Sequence, residues 1–571
     1  MLHRTAKFKK QRRVSTIDFY FIFLFNPKFI SPMSHHPYYA SHGAPVIVQG
    51  TYVNQNQQGV IQGYSQGNSN RESSYNHGGQ QQQHYGDFGM HQTQEVSWTK
   101  GERQPKRCND IFFGILFYAH LGVMAWCTVT YGPTMLSEVE AQSANRQRYL
   151  LRFLEGGNDD QQTDNASGGE EFSIELSMND VLLLLGISGA LGFVLSSLAL
   201  GFMMMFAEGL IKMTLLFNII SSLALGLLML LGGAIPAAIM ALVMFALSTW
   251  YACCVWAKIP FAAANMVTAI SAVRSNFGVA FFAYVSLVIN FLWSMWWSFA
   301  VTAIVMVTAG CNSERECESE VNKIVLFLLF VSFYWTAQVI KNVVHVTVAG
   351  TVGTWWFDPM TASSCCSRGV RDSWLRAMTF SFGSICFGSL IVAIIQAVKE
   401  MLHIMRENDD TILKCIAECL IGCIEWIVEY FNTWAFTYVG LYGYTFMEAG
   451  TNVMTLFRNR GWTTIITDNL VDSTLGMVGL GVGVLTGICV LVAALCLGMD
   501  LSESHYWEPF IIGFVIGLVL CMTLFNVISS AVNTVIVCYA EAPHEFHSNH
   551  RQLSDNMQAA WRQAWPNEFH N

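Results

Sequence analysis

Residues 437–475 read TYVGLYGYTFMEAGTNVMTLFRNRGWTTIITDNLVDSTL. The stretch begins as an apolar helix, is interrupted by glycines and by Glu448, and turns basic at Arg458. Lipid cannot satisfy free backbone N–H and C=O groups, so irregular backbone at membrane depth is tolerated only beside protein or a water-filled cavity. The stretch therefore predicts a discontinuous membrane helix that borders a polar pathway.

The composition of the whole chain is that of an integral membrane protein. Its 571 residues are 53% hydrophobic and 12% charged, and the mean hydropathy is +0.38. No sustained Lys/Arg field accompanies the net charge of -9, so we predict no nucleic-acid partner. The 16 cysteines show no paired zinc spacing and the sequence contains no nucleotide-binding loop. We therefore predict neither a metal nor another cofactor.

Apolar segments of membrane-spanning length recur along the chain. A hydrocarbon core of about 30 Å requires about 20 helical residues. Ten segments meet or approach this length: 111–131, 181–205, 211–231, 235–256, 279–309, 323–347, 377–397, 433–449, 476–498 and 509–539. We predict an all-α polytopic protein of about ten membrane helices, with its transmembrane domain at 108–540 and its weakest span at 433–449.

The segments outside these spans are polar. Residues 1–107 are rich in Gln, Gly and Tyr and predict a disordered tail, because such a composition cannot bury enough apolar surface to offset ordering. The sequence leaves open whether Met1 or Met33 is the true start. Residues 541–571 predict a C-terminal tail. Residues 399–430 have the spacing of an amphipathic helix at an interface, on a side that the charges do not decide.

Lys and Arg near the span ends predict the orientation. Lys100, Arg103, Lys106 and Arg107 precede the first span, which places both termini in the cytoplasm when the spans are counted alternately. Residues 133–178 then form a large exterior loop whose sequon at Asn165 predicts a glycoprotein. Two further exterior residues, Cys311 and Cys317, predict a disulfide, with two unpaired cysteines as the alternative.

Four stretches of the chain resemble the choline transporter-like family. They are SFYWTAQVIKNVVHVTVAGTVGTWWF (332–357), SFGSICFGSLIVAIIQ (381–396), EYFNTWAFTYVGLYGYTFMEAG (429–450) and VIVCYAEAPHEFHSNH (535–550). The likeness covers roughly residues 110 to 550 and is closest to the fungal, plant and protist branch. It implies a ten-helix protein of the plasma membrane or of organelles, with cytoplasmic termini and with choline or ethanolamine as substrate. We expect the plasma membrane.

A choline site requires a particular kind of side chain. The quaternary ammonium group cannot accept or donate a hydrogen bond, so aromatic faces and a nearby carboxylate must hold it. We predict that six residues of the sixth and eighth spans line a substrate pathway: Tyr334, Trp335, Gln338, Tyr438, Tyr442 and Glu448. The aromatic residues have an alternative role as interfacial anchors. Lys341, on the same stripe as Tyr334, would repel a cation, and we expect it to snorkel or to pair with an acid such as Glu448.

These features predict a facilitative carrier that moves choline or a related small organic cation through the lipid bilayer by alternating access. The chain is then not an enzyme. A membrane scaffold whose N-terminal tail recruits cytoplasmic partners is the main alternative, and an enzyme acting on lipid head groups is a third. The oligomeric state is open.

Overall fold

The computed structural model describes residues 106–154, 178–309, 322–365, 367–407, 412–460, 462–497 and 507–565. Every regular element within these ranges is helical, so the predicted all-α class is confirmed. The helices are α1 (Ile111–Leu154), α2 (Met178–Leu231), α3 (Ile235–Val255), a 3-10 turn (Trp256–Lys258), α4 (Ile259–Ser275), α5 (Gly278–Ala309), α6 (Lys323–Phe357), α7 (Arg368–Met378), α8 (Phe382–Glu407), α9 (Ile412–Tyr442), α10 (Phe446–Arg460), α11 (Trp462–Cys496), α12 (Trp507–Glu541), α13 (Pro543–Asn549) and α14 (Arg551–Ala564).

Within the described ranges, 8 helical stretches are long and apolar enough to cross a membrane. The longest, Leu182–Leu231, has 50 residues. At 1.5 Å per residue it would extend about 75 Å, more than twice the thickness of a hydrocarbon core. Its helical geometry is interrupted at Phe206 (φ -123, ψ 26), between the predicted second and third spans. One stretch therefore covers two of the predicted segments.

The predicted eighth span has wrong bounds. Helix α9 continues from Ile412 to Tyr442, residues 443–445 are not helical, and α10 begins at Phe446. Gly443 adopts φ 66, a left-handed conformation that glycine tolerates without steric cost. The predicted break is thus present at Gly443, whereas Glu448 lies within α10.

The described residues between 399 and 430 belong to two long helices and do not form a separate one. The first part of this region continues α8, and the rest belongs to α9, which packs against α6 and α8. Two acidic side chains of the region face lysines of those neighbours: Glu425 pairs with Lys399, and Glu429 pairs with Lys341. These ion pairs join α9 to α8 and to α6.

The exterior loop predicted at 133–178 begins as helix, because α1 continues to Leu154. Asn165, Cys311 and Cys317 lie outside the described residues, as does the N-terminal tail up to residue 105. The predicted glycosylation and disulfide therefore stay predictions.

Helices α6 and α9 approach each other through small residues. A Cβ atom added at Gly440 would lie 2.6 Å from the Cβ of Ala349 and 2.7 Å from the carbonyl oxygen of Val346. On the facing helix, a Cβ added at Gly350 would lie 3.2 Å from the carbonyl oxygen of Gly440. Small residues at a crossing let helix backbones pack closely inside a bilayer. This contact holds the last turns of α9 against α6.

Described residues 541–565 of the predicted C-terminal tail pack against the helical domain. Phe546 is buried and stacks on Trp356, with 4.0 Å between ring centroids. The Asn549 side-chain amide donates to the carbonyl oxygens of Trp356 and Phe357, at 2.9 Å each. These are carbonyl groups of the last turn of α6, which have no partner within the helix. The segment after α12 therefore closes the end of α6.

Helix α14 extends this packing to α4. The ring centroid of Phe261 lies 5.3 Å from that of Trp565. Between the two C-terminal helices, the His550 ring stacks on Trp355 with 3.8 Å between centroids, and its Nε2 lies 2.9 Å from the Trp355 carbonyl oxygen. Nε2 is therefore the nitrogen that donates.

We expect Gly440→Ala to lower the melting temperature of the detergent-solubilised protein. The added methyl group has no room at the α6–α9 crossing, and overpacking of this kind costs about 1–3 kcal/mol. Gly422→Ala in the same helix is the matched control, because nothing lies within 4 Å of the added Cβ. Both changes gain the same helix propensity, so equal melting temperatures would show that the crossing is not tight.

We expect acid to weaken the C-terminal contact through His550. Burial lowers the pKa of His550 below its ordinary value of 6.5, against the opposing effect of the hydrogen bond to Trp355. The unfolded chain then takes up the proton at higher pH than the folded chain, so stability present above pH 6.5 is lost as the pH falls below that value.

Melting temperatures measured between pH 7.5 and pH 5 check this expectation in the wild type and in His550→Gln. His544→Gln is the control, because it changes an exposed histidine of α13. The melting temperature should depend less steeply on pH in His550→Gln than in the wild type, and equally steeply in His544→Gln. Equal slopes in all three proteins would contradict it.

Candidate functional site

A series of polar pairs runs through the bundle between α6, α8, α9 and α12. We call the side of the bundle near Glu400 the Glu400 end, and the opposite side, where α12 finishes, the Glu541 end. Each pair joins side chains of different helices. Polar groups that lie inside a membrane protein require such partners, because the surrounding lipid offers none.

Charged groups pair at the Glu400 end. Lys399 Nζ lies 2.7 Å from Glu425 Oε2, and Lys341 Nζ lies 3.0 Å from Glu429 Oε1. The partner of Lys341 is thus Glu429 and not Glu448. The predicted pathway residue Tyr334 belongs to the same end, where its hydroxyl donates to Glu400 Oε2 at 3.4 Å.

Neutral amides and hydroxyls form pairs along α6 on both sides of Lys341. The predicted residue Gln338 is buried, and its Nε2 donates to Oε1 of Gln396 at 3.3 Å. One turn further on, Asn342 Nδ2 donates to the Ser389 hydroxyl at 3.0 Å. Both pairs join α6 to α8.

His345 joins three helices at the next turn. It is buried, with Nδ1 at 2.7 Å from the Ser530 hydroxyl of α12 and Nε2 at 3.1 Å from the Thr437 hydroxyl of α9. A neutral imidazole has one donor and one acceptor nitrogen, so one hydroxyl donates to the ring and the other accepts from it. Separation of any of these helices leaves a buried polar atom without a partner.

Three tyrosines and one carboxylate meet at the Glu541 end. Tyr438 donates to Glu541 Oε1 at 2.6 Å, and Tyr442 donates to Glu541 Oε2. The Tyr442 ring centroid lies 5.6 Å from that of Tyr438 and 5.4 Å from that of Tyr444. Tyr438 and Tyr442 are buried, whereas Glu541 is exposed on its remaining side.

This arrangement has the chemistry of an organic-cation site. Aromatic faces carry partial negative charge, and a phenol that donates to a carboxylate gains further electron density in its ring. The carboxylate supplies a full negative charge beside them. We call Tyr438, Tyr442, Tyr444 and Glu541 the tyrosine cluster.

The structure brings only two of the six predicted residues together in the tyrosine cluster, namely Tyr438 and Tyr442. Trp335 is buried elsewhere: its Nε1 donates to the Cys386 carbonyl oxygen at 3.0 Å, and His120 stacks on its ring at 4.8 Å. Glu448 is exposed in the first turn of α10. The carboxylate beside the tyrosines is Glu541.

Sequence reasoning missed Glu541 because it directly follows the last apolar run and reads as the first residue of a polar tail. Its position at the end of a membrane helix was the available signal, since a carboxylate there lies at the edge of the bilayer. His345 is not among the six predicted residues, although it lies seven residues after Gln338 and four after Lys341, on the same face of α6. Its pairing with α9 and α12 depends on helix packing that no local pattern reports.

The histidines of the C-terminal segment are engaged separately. His547 lies 3.5 Å from Asp555, and His550 contacts Trp355. Across the part of the chain that the structure describes, no three His, Cys, Asp or Glu side chains are grouped so that they could hold a metal ion.

Comparison with known proteins gives consistent matches. The family described as "Plasma-membrane choline transporter" matches residues 239–544. A CTL-like protein of Dictyostelium discoideum is 30% identical over 472 residues, which are 81% of this chain and 77% of that protein. Protein PNS1 of Debaryomyces hansenii is 29% identical over 399 residues, 66% of this chain and 76% of its own.

Protein PNS1 of Cryptococcus neoformans var. neoformans serotype D is 30% identical over 464 residues, which cover 78% of this chain and 80% of that protein. The family match extends from within α3 to the start of α13 and includes the polar series and the tyrosine cluster. They support a role in membrane transport for this multi-pass helical protein. The chain belongs to the choline transporter-like family.

Proposed function

We propose that this protein is a facilitative carrier of choline or a closely related small organic cation. It works by alternating access in the plasma membrane, with both termini in the cytoplasm. The observation that carries the proposal is the tyrosine cluster, in which two tyrosines donate to the exposed carboxylate of Glu541 and the ring of a third tyrosine, Tyr444, lies against Tyr442.

The chemistry of the cluster favours a methylated ammonium group over an inorganic cation. Na⁺, K⁺ and Mg²⁺ prefer several oxygen ligands, whereas the cluster offers rings and a single carboxylate. A trimethylammonium group cannot use oxygen donors in this way, but it gains from contact with the faces of tyrosine rings. Choline therefore fits better than its metal-ion competitors.

The polar series supplies a route from the Glu400 end to the tyrosine cluster. Gln338 and His345 lie along it, and each is paired across a helix interface, so the route is closed in this conformation. For the substrate to pass, these hydrogen bonds must break, and the substrate must then contact the polar groups that lose their partners. The non-helical residues 443–445 let α9 and α10 change their relative direction, as discontinuous helices do in other transporters.

The distribution of basic residues supports a cytoplasmic position for the Glu541 end. Lys106 and Arg107 precede α1 beside Asn109, which contacts Gly443 after α9. Trp565 directly follows the last residue of α14. The Lys258 ammonium group lies over its ring, 6.0 Å from the ring centroid. Basic residues favour the cytoplasmic side of a membrane.

The driving force requires no partner ion. A monovalent cation gains about 2.3 kcal/mol for each 100 mV of inside-negative potential. Accumulation follows from the charge of the substrate alone.

We expect saturable uptake of labelled choline into proteoliposomes that contain the full chain and carry an inside-negative potential. Glu541→Gln should raise the half-saturating choline concentration about tenfold, which corresponds to the loss of about 1.4 kcal/mol of cation binding. Glu448→Gln is the matched control, because Glu448 is an exposed carboxylate outside the tyrosine cluster. An equal effect of the two changes would contradict the assignment of Glu541.

We expect the tyrosine rings to matter more than their hydroxyls. Tyr442→Phe keeps the aromatic face and removes the bond to Glu541, whereas Tyr442→Ala removes both. Choline uptake at subsaturating concentration should fall severalfold more in the alanine variant, because ring contact with a cation contributes about 0.5–2 kcal/mol. Equal losses in both variants would show that the hydrogen bond, not the ring, supports transport.

A further inference from the structure

Two residues directly before α1 contact the break between α9 and α10. The side-chain amide of Asn109 donates to the Gly443 carbonyl oxygen at 2.7 Å. Asp110 Oδ2 accepts from the Ser384 hydroxyl at 2.6 Å and from the backbone N–H of Phe446 at 3.0 Å. The start of the first helix is therefore bonded to both sides of the break and to α8.

Asp110 lies where three helices begin. Helix α1 starts at Ile111, α8 at Phe382 and α10 at Phe446. The first N–H groups of a helix lack internal partners, and its N-terminal end carries partial positive charge. A carboxylate at the meeting point of three such ends is favourably placed for all of them. Its bond to Phe446 caps α10 from a distance of 336 residues in the sequence.

The backbone around Asp110 is shaped for this contact. Asp110 has φ 51 and is the single non-glycine residue with positive φ in the described part of the chain. Non-glycine residues adopt this conformation rarely, and strain of this kind persists where the surroundings enforce it. On the α8 side, a Cβ added at Gly383 would lie 2.3 Å from the carbonyl oxygens of Asn109 and Asp110. The backbone conformation of Asp110 and the lack of space beside Gly383 therefore both restrict the geometry of this contact.

The break that Asn109 and Asp110 hold carries part of the tyrosine cluster. Tyr442 directly precedes Gly443, and Tyr444 directly follows it. The two rings lie 5.4 Å apart on either side of the carbonyl group that Asn109 binds. The directions of both rings thus depend on how firmly residues 443–446 are held.

We infer that Asp110 is a positioning residue for the cation site: through Phe446 and Ser384 it fixes the break after α9, so that Tyr442 stays on Glu541 and Tyr444 stays against Tyr442. This assignment rests on the proposed function for its role in transport. It also ties the first helix to the site, because α1 cannot move away from α10 without releasing the cap at Phe446.

The first test is choline uptake kinetics in proteoliposomes that contain the full chain. Asp110→Ala should raise the half-saturating choline concentration about fivefold, the factor that corresponds to loss of one helix cap. Asp110→Asn should raise it less, because the amide oxygen still accepts one hydrogen bond. Asp372→Asn, at a partly exposed carboxylate of α7, should leave it unchanged. A merely structural role would lower the maximal rate and leave the half-saturating concentration unchanged, which would overturn the inference.

The second test does not depend on the substrate. Tyr444→Cys places a thiol at the break, and its rate of reaction with a soluble maleimide is followed by mass spectrometry of the peptide that contains residue 444. The rate should rise severalfold when Asp110→Ala is added, and not when Asp372→Asn is added. If wild type moves no choline, the proposed function fails and this rate still decides whether Asp110 holds the break.

Ser384→Ala guards against a variant that does not fold. It removes one of the two bonds to Asp110 Oδ2 and leaves the bond from Phe446. It should give a smaller rise in both the labelling rate and the half-saturating concentration. Unchanged values of both in Ser384→Ala and in Asp110→Asn would overturn the inference.

Discussion

A buried polar side chain in a membrane bundle must find its partner on another helix, and this constraint organises the core of the protein. Helix α6 carries amides, a histidine and a lysine along its length, and each is paired with α8, α9 or α12. His345 makes the requirement most severe, since two hydroxyls from two different helices satisfy its two ring nitrogens. The pairs tie α6 to specific neighbours, because each polar group has its partner on one particular helix.

The same constraint links packing to conformational change. An apolar contact can slide at small cost, but a buried hydrogen bond that opens must be replaced at once by another group or by water. The series of pairs between α6 and its neighbours therefore favours a few discrete arrangements over a continuous range. Small residues at the Gly440 crossing permit the close approach in which these bonds form. A carrier with two well-defined states has this physical requirement.

The sequence predicted the class of the fold and most of the helices, because runs of apolar residues depend on the bilayer alone. It also predicted the break after α9, since glycine marked it. It selected Glu448 as the acidic pathway residue because Glu448 falls within a predicted span. It did not select Glu541, because Glu541 directly follows the last apolar run and reads as part of a polar tail. The contact of Glu541 with Tyr438 spans 103 residues and is set by the tilt and packing of two helices. No local periodicity encodes such a contact.

The spacing of residues 399–430 misled for a related reason. It indicates an amphipathic helix at an interface, whereas Glu425 and Glu429 form ion pairs with lysines of α8 and α6. A single sequence shows that a charge is present, but it does not show whether its partner is a solvent molecule or a side chain far along the chain.

The closing segment at the C-terminus has a consequence for biosynthesis. Asn549 supplies the partners of the last carbonyl groups of α6, and Phe546 covers Trp356. Both residues leave the ribosome long after α6 has been made, so α6 stays uncapped at one end while the three candidate membrane spans that follow it are synthesised. The domain reaches its final packing only after residues 546–549 have been made, and a chain that stops before them exposes the open end of α6 to the machinery that removes unfinished membrane proteins.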